Sequence, residues 1–566
     1  MKCTLVVFAA LLMVLPGCSS QKLDPAVASY IDSLMNASVK PGQPGAVILV
    51  ARDGIPIFRK AYGLANVELG VPNKPENVFA IASMTKQFTA VCILQLVQQG
   101  KLSLQDDIRK YLPNYNAQGR VITIEHLLTH SNGIPNITMR PDFDRREVVE
   151  PSEEELLGCV MSEPLLFEPG SDCSYNDFGF TLAALIVERV SGMRYGEYLQ
   201  KNIFEPLGMK NSTSGTRERS IPLFVSGYSW AGDTLFRPAE YFSWRWNLGM
   251  GDIVTCVDDM LKWDEALYTD KLLSQDLLKR AWSSYVLADG RKTNYGYGWA
   301  VSQYRDLQMI WHPGGMEGFR SMSIRIPSQH LFVAAMSNNG SSGAILTCAR
   351  DIALKLAGRQ VATPSFQSLT AEKLKEYSGV YETRGSGLFV LANQTRDKAY
   401  RYVTVQDSLL VSQITGGGMT TLHNVGNDLF MFMFRGTQAH ALFHRDNNLK
   451  IMSIEVSTEP WSWGPNRFEM KTDIPLPQEK VPIVLSEKTL KAYAGKYTFA
   501  GDDYVKVRVD SVRIFVDTIG EIFPESETRF FSRMVDARIE FLKNPKGAIT
   551  GLIWMSLGSV QAKKID

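Results

Sequence analysis

Ala80-Ile81-Ala82-Ser83-Met84-Thr85-Lys86 opens an apolar-periodic run over residues 88–96 that stops at Gln99-Gly100. This is how a loop entering a buried helix reads, with Gly100 as the C-terminal cap. Ser83 then stands at a helix N-terminus, and Lys86, three residues on, lies one turn above it on the same face. A serine hydroxyl is a weak nucleophile at neutral pH, and a lysine desolvated in an apolar pocket can lose its proton and serve as a base. The dipole and unpaired N–H groups of the helix start also favour negative charge there. The same residues equally describe an ordinary turn in which Ser83 caps the helix and Lys86 is solvated. Spacing alone does not choose between the two, because Ser19-Ser20-Gln21-Lys22 repeats it in what reads as a tether.

Toward the N-terminus, residues 24–35 carry a helical pattern and residues 45–51 (GAVILVA) read as a buried strand. Arg52-Asp53-Gly54 turns that strand into a hairpin partner over 55–61. Before them, Lys2 and an apolar run over residues 5–15 lead to Pro16-Gly17-Cys18-Ser19-Ser20. The run is too short to span a membrane and has the layout of an export signal. It resembles a bacterial lipoprotein signal, in which cleavage precedes the cysteine, here Cys18, which is then lipidated. Pro16 departs from the small residue usual in that place, and a plain cleaved signal is the alternative. Several acyl chains on one residue would anchor the chain stably. The resemblance implies an exported protein, held as a lipoprotein on the periplasmic side of a bacterial membrane, or soluble in the periplasm.

The 566 residues, 45% hydrophobic and 21% charged, suffice for a large core and suggest two to four domains. A formal net charge of +1 gives no electrostatic case for nucleic acid. Beyond Cys3 and Cys18, the cysteines Cys92, Cys159, Cys173, Cys256 and Cys348 are odd in number and widely spaced. They form neither a disulfide framework nor a Cys-x-x-Cys pair, so buried thiols are the default, with a Cys159–Cys173 bridge the other reading. The scattered histidines give no zinc pattern, and neither a metal nor an organic cofactor is expected.

Helical patterns recur at 153–161, 178–191 and 257–268, and strands at 294–303, 319–326 and 331–337. A hairpin, a helical middle and returning strands describe an α/β domain with a helix cluster inserted in its sheet order. Composition shifts after Ala357: residues 358–368 and 472–482 read as linkers, each followed by alternating, aromatic-rich sequence typical of antiparallel β structure, as at 400–405, 428–434 and 504–509. These two parts repeat each other. LTAEKLKEYSGVYE from Leu369 matches LSEKTLKAYAGKYT from Leu485 at an offset of 116, and Phe443-His444-Arg445-Asp446 resembles Phe541-Leu542-Lys543-Asn544 at an offset of 98. The 18-residue difference places longer loops in the first copy. Two tandem barrels follow, because each copy supplies enough short strands to close on itself. The expected organisation is a signal at 1–18, an α/β domain at 19–360, and barrels at 365–475 and 484–566.

Downstream stretches give Ser83 its context. ITIEHLLTHSNGIP over 122–135 is followed by Phe167-Glu168-Pro169-Gly170, then Ser174-Tyr175-Asn176-Asp177, Pro206-Leu207-Gly208-Met209, Tyr295-Gly296-Tyr297-Gly298-Trp299 and His312-Pro313-Gly314-Gly315. In this order the chain resembles the serine β-lactamase and penicillin-binding-protein superfamily, in its branch of class C-like β-lactamases, esterases and D-amino-acid peptidases, over about residues 24–357. The two copies resemble lipocalin-like barrels that follow this domain in some members. The resemblance implies an antiparallel sheet with helices on both faces and a helical subdomain. It places the first motif on Ser83 and Lys86, the second on Tyr175 and Asp177, and the third on His312 and Gly314. It further implies attack by Ser83 on an ester or amide, its proton passing to Lys86 and Tyr175, with the backbone N–H groups of Ser83 and Gly315 holding the oxyanion.

Rival readings remain for several of these residues. Tyr175 also fits as packing under the helix that follows it, His312 as a turn histidine, and Gly314-Gly315 as a plain β-turn. The aromatics Tyr228, Trp230, Phe236, Tyr241, Phe242, Trp244 and Trp246 fit an acyl pocket, core packing or a flap. Gly416-Gly417-Gly418 lacks a following lysine and helix and reads as a turn. Asp177 replaces the asparagine common in the second motif. A carboxylate beside Lys86 would keep it protonated and shift weight onto Tyr175.

The sequence thus describes a serine hydrolase or acyltransferase forming an acyl-enzyme on Ser83. Ser83, Lys86 and Tyr175 would be catalytic, and Asp177, His312, Gly314 and Gly315 would bind a small ester, amide or peptide. The alternative is a weakly catalytic or non-catalytic receptor for penicillin or wall peptides. The sequence does not choose among substrates or fix an oligomeric state.

Overall fold

A computed structural model describes residues 23–565 apart from 140–148, 162–163, 216–219, 231–235, 241–242, 305, 360–364, 384–398, 416–417, 435–436, 458–466, 478–479, 500–503 and 556–558. The signal with Cys18, the Ser19–Lys22 match, Tyr241, Phe242, Gly416 and Gly417 lie outside the described residues.

Asp24 caps helix α1 (Pro25–Ser38) through its side chain. The Asp53-Gly54 turn joins strands β1 (Ala46–Arg52) and β2 (Ile55–Tyr62) as the hairpin rule requires, both turn residues having positive φ. Then come helix α2 (Thr85–Gln98), helix α3 (Asp177–Ser191), and four strands: β3 (Ala300–Tyr304), β4 (Leu307–Met316), β5 (Phe319–Ile326) and β6 (Leu331–Ser337). Helix α4 (Ala344–Leu356) follows. The six strands form one antiparallel sheet in the order β3-β4-β5-β6-β1-β2. The early hairpin thus pairs with the last strand, and the helical middle is inserted between them.

Alternation along β1 shows why the sheet is buried on both sides. Val47, Leu49 and Ala51 join a core with Phe88, Val91 and Leu182 of α2 and α3. Ala46, Ile48 and Val50 join a second core with Ile31 and Met35 of α1 and Ala349 and Ile352 of α4. Helix α2 is buried from Thr85 through Leu96, so it reads as apolar on every side. The strand expected over 294–303 begins only at Ala300. Gly296 and Gly298 break it: a Cβ on Gly296 would lie 1.9 Å from the Ala281 carbonyl oxygen, and one on Gly298 would lie 2.5 Å from that of Lys86. His312-Pro313-Gly314-Gly315 lies within β4 and not in a turn. Tyr228 and Trp246 are core residues, and the five described cysteines are thiols.

The C-terminal part forms two closed eight-stranded antiparallel barrels, one from Gly379–Thr383 to Arg467–Lys471 and the other from Gly495–Thr498 to Ser559–Lys564. Their kinship extends to bonding. Each opens with a short helix capped by Thr370 or Ser486. In each, a tyrosine (Tyr381 or Tyr497) donates to a carbonyl four residues earlier, that of Tyr377 at 2.6 Å or Tyr493 at 2.7 Å. Both repeats carry a bulge at the matched place, His444/Arg445 and Leu542/Lys543. Registers also identify one difference. Val403 pairs with Gly379 and Ser412, as Val507 pairs with Gly495 and Val516; Tyr381 pairs with Lys471 as Tyr497 does with Lys564. Inward-facing Arg401, Ser412 and Glu469 of the first barrel therefore correspond to Val505, Val516 and Ala562 of the second, and all six are buried. Arg401 donates to both oxygens of Glu469, at 2.5 and 2.9 Å, and to Ser412 Oγ at 2.8 Å.

Candidate active site

Ser83 sits in a 3-10 turn, Ala82–Met84, that runs directly into α2. Ala82 has φ 46°, a left-handed conformation that costs an alanine about 1 kcal/mol, so the turn presenting Ser83 is held by its surroundings. Ser321 Oγ donates to the Ile81 carbonyl at 2.7 Å. Gly314 packs so closely that a Cβ there would lie 2.1 Å from the same oxygen. Gly314 is buried and Gly315 exposed.

Lys86 projects from the first turn of α2 and is fully buried. Its Nζ has three oxygen neighbours: Asp177 Oδ1 at 2.7 Å, the Met250 carbonyl at 3.0 Å and Ser83 Oγ at 3.1 Å. The rings of Tyr175 and Phe180 flank it, with Nζ 4.9 and 5.7 Å from their centroids. Two of the oxygens can only accept. A neutral amine would spend both N–H groups on Asp177 and Met250 and leave its lone pair toward the Ser83 hydroxyl, the one neighbour able to donate.

The loop 130–138 builds the opposite wall. The Asn176 side chain caps α3 through Gly179 N at 2.7 Å and donates to the Ile134 and Pro135 carbonyls. Asp177, the first residue of α3, receives Asn136 Nδ2 at 3.2 Å and Thr138 Oγ1 at 3.0 Å on Oδ2. His130, buried and at φ 58°, accepts from Asn176 N at 3.2 Å. The Tyr175 phenol lies within hydrogen-bonding reach of Ser83 and Asp177. Ser83, Tyr175 and Asp177 are partly exposed, and Lys86 lies beneath them.

Burial is the largest influence on these groups. It pulls Lys86 below the ordinary lysine value, with Asp177 opposing, and pushes the Tyr175 phenol well above its usual value, with Asp177 adding to the rise. Burial also pushes Asp177 up, but Lys86, Asn136 and Thr138 outweigh it and hold the carboxyl below its usual range. Asp177 thus favours the ammonium form of Lys86, as the sequence leads one to expect, while burial acts against it. Desolvation disfavours the ammonium and the phenolate alike, and a carboxylate near the phenol makes the phenolate harder still to form.

His312 is fully buried with both ring nitrogens engaged, Nε2 with Tyr295 OH at 2.9 Å and Nδ1 with the Pro313 carbonyl at 2.6 Å. Burial and the nearby Lys86 bring its pKa down to about 3, so the ring is neutral. It latches the Tyr295–Trp299 loop to β4. Sequence reasoning missed Met250, Asn136 and Thr138. A backbone carbonyl has no sequence signature, and the other two lie just past the end of the quoted stretch at Pro135. Among the described residues no group of three or more His, Cys, Asp or Glu side chains could hold a metal ion.

The β-lactamase family model matches residues 27–357. The chain belongs to the β-lactamase family. A second model, of a domain of unknown function (DUF3471), matches residues 479–566, the second barrel. Penicillin-binding protein 4* of Bacillus subtilis (strain 168) is 26% identical over 408 residues, 68% of this chain and 87% of that protein. Two solved structures share the fold of this β-lactamase-family chain. The octameric penicillin-binding protein homologue from Pyrococcus abyssi is 23% identical, covering 78% of this chain and 99% of that one at a TM-score of 0.54. D-amino acid amidase from Ochrobactrum anthropi SV3 is 24% identical, covering 59% and 99% at a TM-score of 0.51.

Proposed function

We propose that the protein is a serine hydrolase or acyltransferase that forms an acyl-enzyme on Ser83 with a small ester or amide. The observation that carries this reading is the placement of Lys86 Nζ between two obligate acceptors and the Ser83 hydroxyl. Ser83 Oγ attacks the substrate carbonyl as its proton passes to Lys86. The oxyanion is held by the backbone N–H groups of Ser83 and Gly315. The proton then reaches the leaving group by way of Tyr175, which bridges Ser83 and the site mouth. Water, or another acceptor alcohol or amine, attacks the acyl carbon, gives up its proton along the same path and frees Ser83.

Amides of D-amino acids lead the candidates, in keeping with the named D-amino acid amidase that shares the fold, and small esters come next. The test is labelling of the protein with a fluorophosphonate or penicillin probe and location of the adduct by mass spectrometry. The label is expected on Ser83 alone, and its absence there would sink the mechanism. Screening against D-amino-acid amides, p-nitrophenyl esters and a chromogenic cephalosporin would then rank substrates.

The reading includes export and lipidation at Cys18, supported by the layout of residues 1–20. Cys18→Ala should move the protein from the membrane to the soluble fraction with activity retained. Equal membrane retention by the variant would refute the anchor.

A further inference from the structure

The segment Gly249-Met250-Gly251-Asp252-Ile253 straps the start of α2. Thr89 Oγ1 donates to the Gly249 carbonyl at 2.6 Å, Lys86 Nζ to that of Met250 at 3.0 Å, and Ile253 N to Thr85 Oγ1 at 3.1 Å, while Ile81 N donates to the Ile253 carbonyl at 3.0 Å. The turn is tight. Gly249 has φ 71°, and a Cβ there would lie 2.4 Å from Ala184 Cβ.

At its centre lies Asp252, 1% exposed. Its Oδ1 accepts from Gly249 N at 2.9 Å and its Oδ2 from Ser214 Oγ at 2.5 Å, and Gly215 N donates to its carbonyl at 2.6 Å. Among the described residues, Glu188, Tyr195 and Cys92 are the titratable groups whose charge is coupled to it. Burying a carboxyl group is costly. What it gains is the closed turn that fixes the Met250 carbonyl.

We propose that Asp252 is a positioning residue for Lys86, acting through the Met250 carbonyl to aim the lone pair of Nζ at Ser83. This rests on the reading of Ser83 and Lys86 as the reacting pair. If the Met250 carbonyl swings away, the amine loses one of the two acceptors that orient it, and the lone pair no longer faces the hydroxyl. Burial pushes the Asp252 carboxyl up to about 6, which agrees with a role that needs its oxygen more than its charge.

The test measures kcat and KM on p-nitrophenyl acetate for the full chain and for Asp252→Ala, Asp252→Asn and Ser214→Ala, after Ser83 labelling of the wild type. Asp252→Ala should lower kcat on the order of 10²-fold, the cost of a small misplacement of a reacting group, with KM unchanged. Asp252→Asn keeps an acceptor for Gly249 N and should recover most of the rate, and Ser214→Ala should fall between the two. A wild-type kcat in Asp252→Ala, a loss carried entirely by KM, or an Asp252→Asn as slow as Asp252→Ala would overturn the proposal. If Asp252→Ala does not fold, a wild-type rate in Ser214→Ala overturns it equally. An unlabelled Ser83 in the wild type defeats the reading of the site and this proposal together. Labelled Ser83 with an unaltered Asp252→Ala defeats this proposal alone.

Discussion

Lys86 and Asp177 are in direct contact at 2.7 Å, and their coupling sets how the site responds to pH. In the proposed mechanism acylation needs the amine, so its rate should rise as pH passes upward through the lysine pKa. The Asp177 carboxylate stabilises the ammonium and keeps that pKa higher than burial alone would. Asp177→Asn removes the charge and keeps an acceptor, so the acidic limb of kcat/KM should move to lower pH. Part of the rate should also be lost, because an amide NH2 would face Asn136 Nδ2 and Thr138 Oγ1, both of which now donate to Oδ2. An unmoved limb would show that the contact does not act on the base. Tyr175→Phe should cost more than Asp177→Asn, about 10²- to 10⁴-fold for a lost proton carrier, measured on the same substrate. Neutral His312, at about 3, should add no inflection between pH 5 and 8. The residues doing this work were legible as a set because each falls in a short stretch with its own spacing. Their charge states were not, because desolvation depends on what surrounds a side chain in three dimensions.

At the level of elements, glycines decide how α2 meets the sheet. A Cβ on Gly298, at φ 80°, would lie 2.5 Å from the Lys86 carbonyl oxygen, whereas one on Gly192, at φ 70° after α3, would meet nothing within 4 Å. Both alanine substitutions incur the left-handed cost, about 1 kcal/mol, but only Gly298→Ala also overpacks, adding about 1–3 kcal/mol. Gly298→Ala should therefore lower Tm distinctly more than Gly192→Ala in thermal melts, and it alone should slow acylation, since its clash is with the residue carrying the base. Equal melts would mean that the loop 295–299 yields without moving α2. The helices expected at 153–161 and 178–191 and the strands expected at 319–326 and 331–337 were readable from periodicity, and each is present within one residue of those bounds. Strand β4 was not. Its Pro313-Gly314-Gly315 run looks like a turn, but it holds as a strand through its pairing with β5, and packing on the Ser83 loop leaves no room for a side chain at Gly314.

Over the described residues, the cores are separate: three lie within residues 23–357, a small one around Cys173 and Leu287 among them, one within 369–456 and one within 485–562. A chain ended near residue 362 should therefore remain soluble and be acylated at Ser83, checked by probe labelling of the truncated protein. Insolubility would mean that the barrels complete the α/β domain. The barrel repeat was legible because its helix-and-strand opening kept sequence identity. The lumen difference was hidden, since equivalent positions emerge only once strand registers are known. Glu469→Ala should destabilise the first barrel by about 3–5 kcal/mol, because it strands a buried guanidinium. Replacing Arg401, Ser412 and Glu469 together by Val, Val and Ala, the lining of the second barrel, should leave it near its original stability. Denaturant unfolding of the first barrel's transition would separate the two outcomes, and equal losses would mean that the ion pair adds net stability.

Such a pair also constrains descent. Positions 401 and 469 are far apart in the chain yet meet inside one barrel, and a lineage that changes either alone passes through a weakened protein. Substitutions there should be inherited jointly, leaving a correlated signature between two distant codons of the first repeat. The matching codons of the second repeat, 505 and 562, specify a valine and an alanine and are free to drift independently.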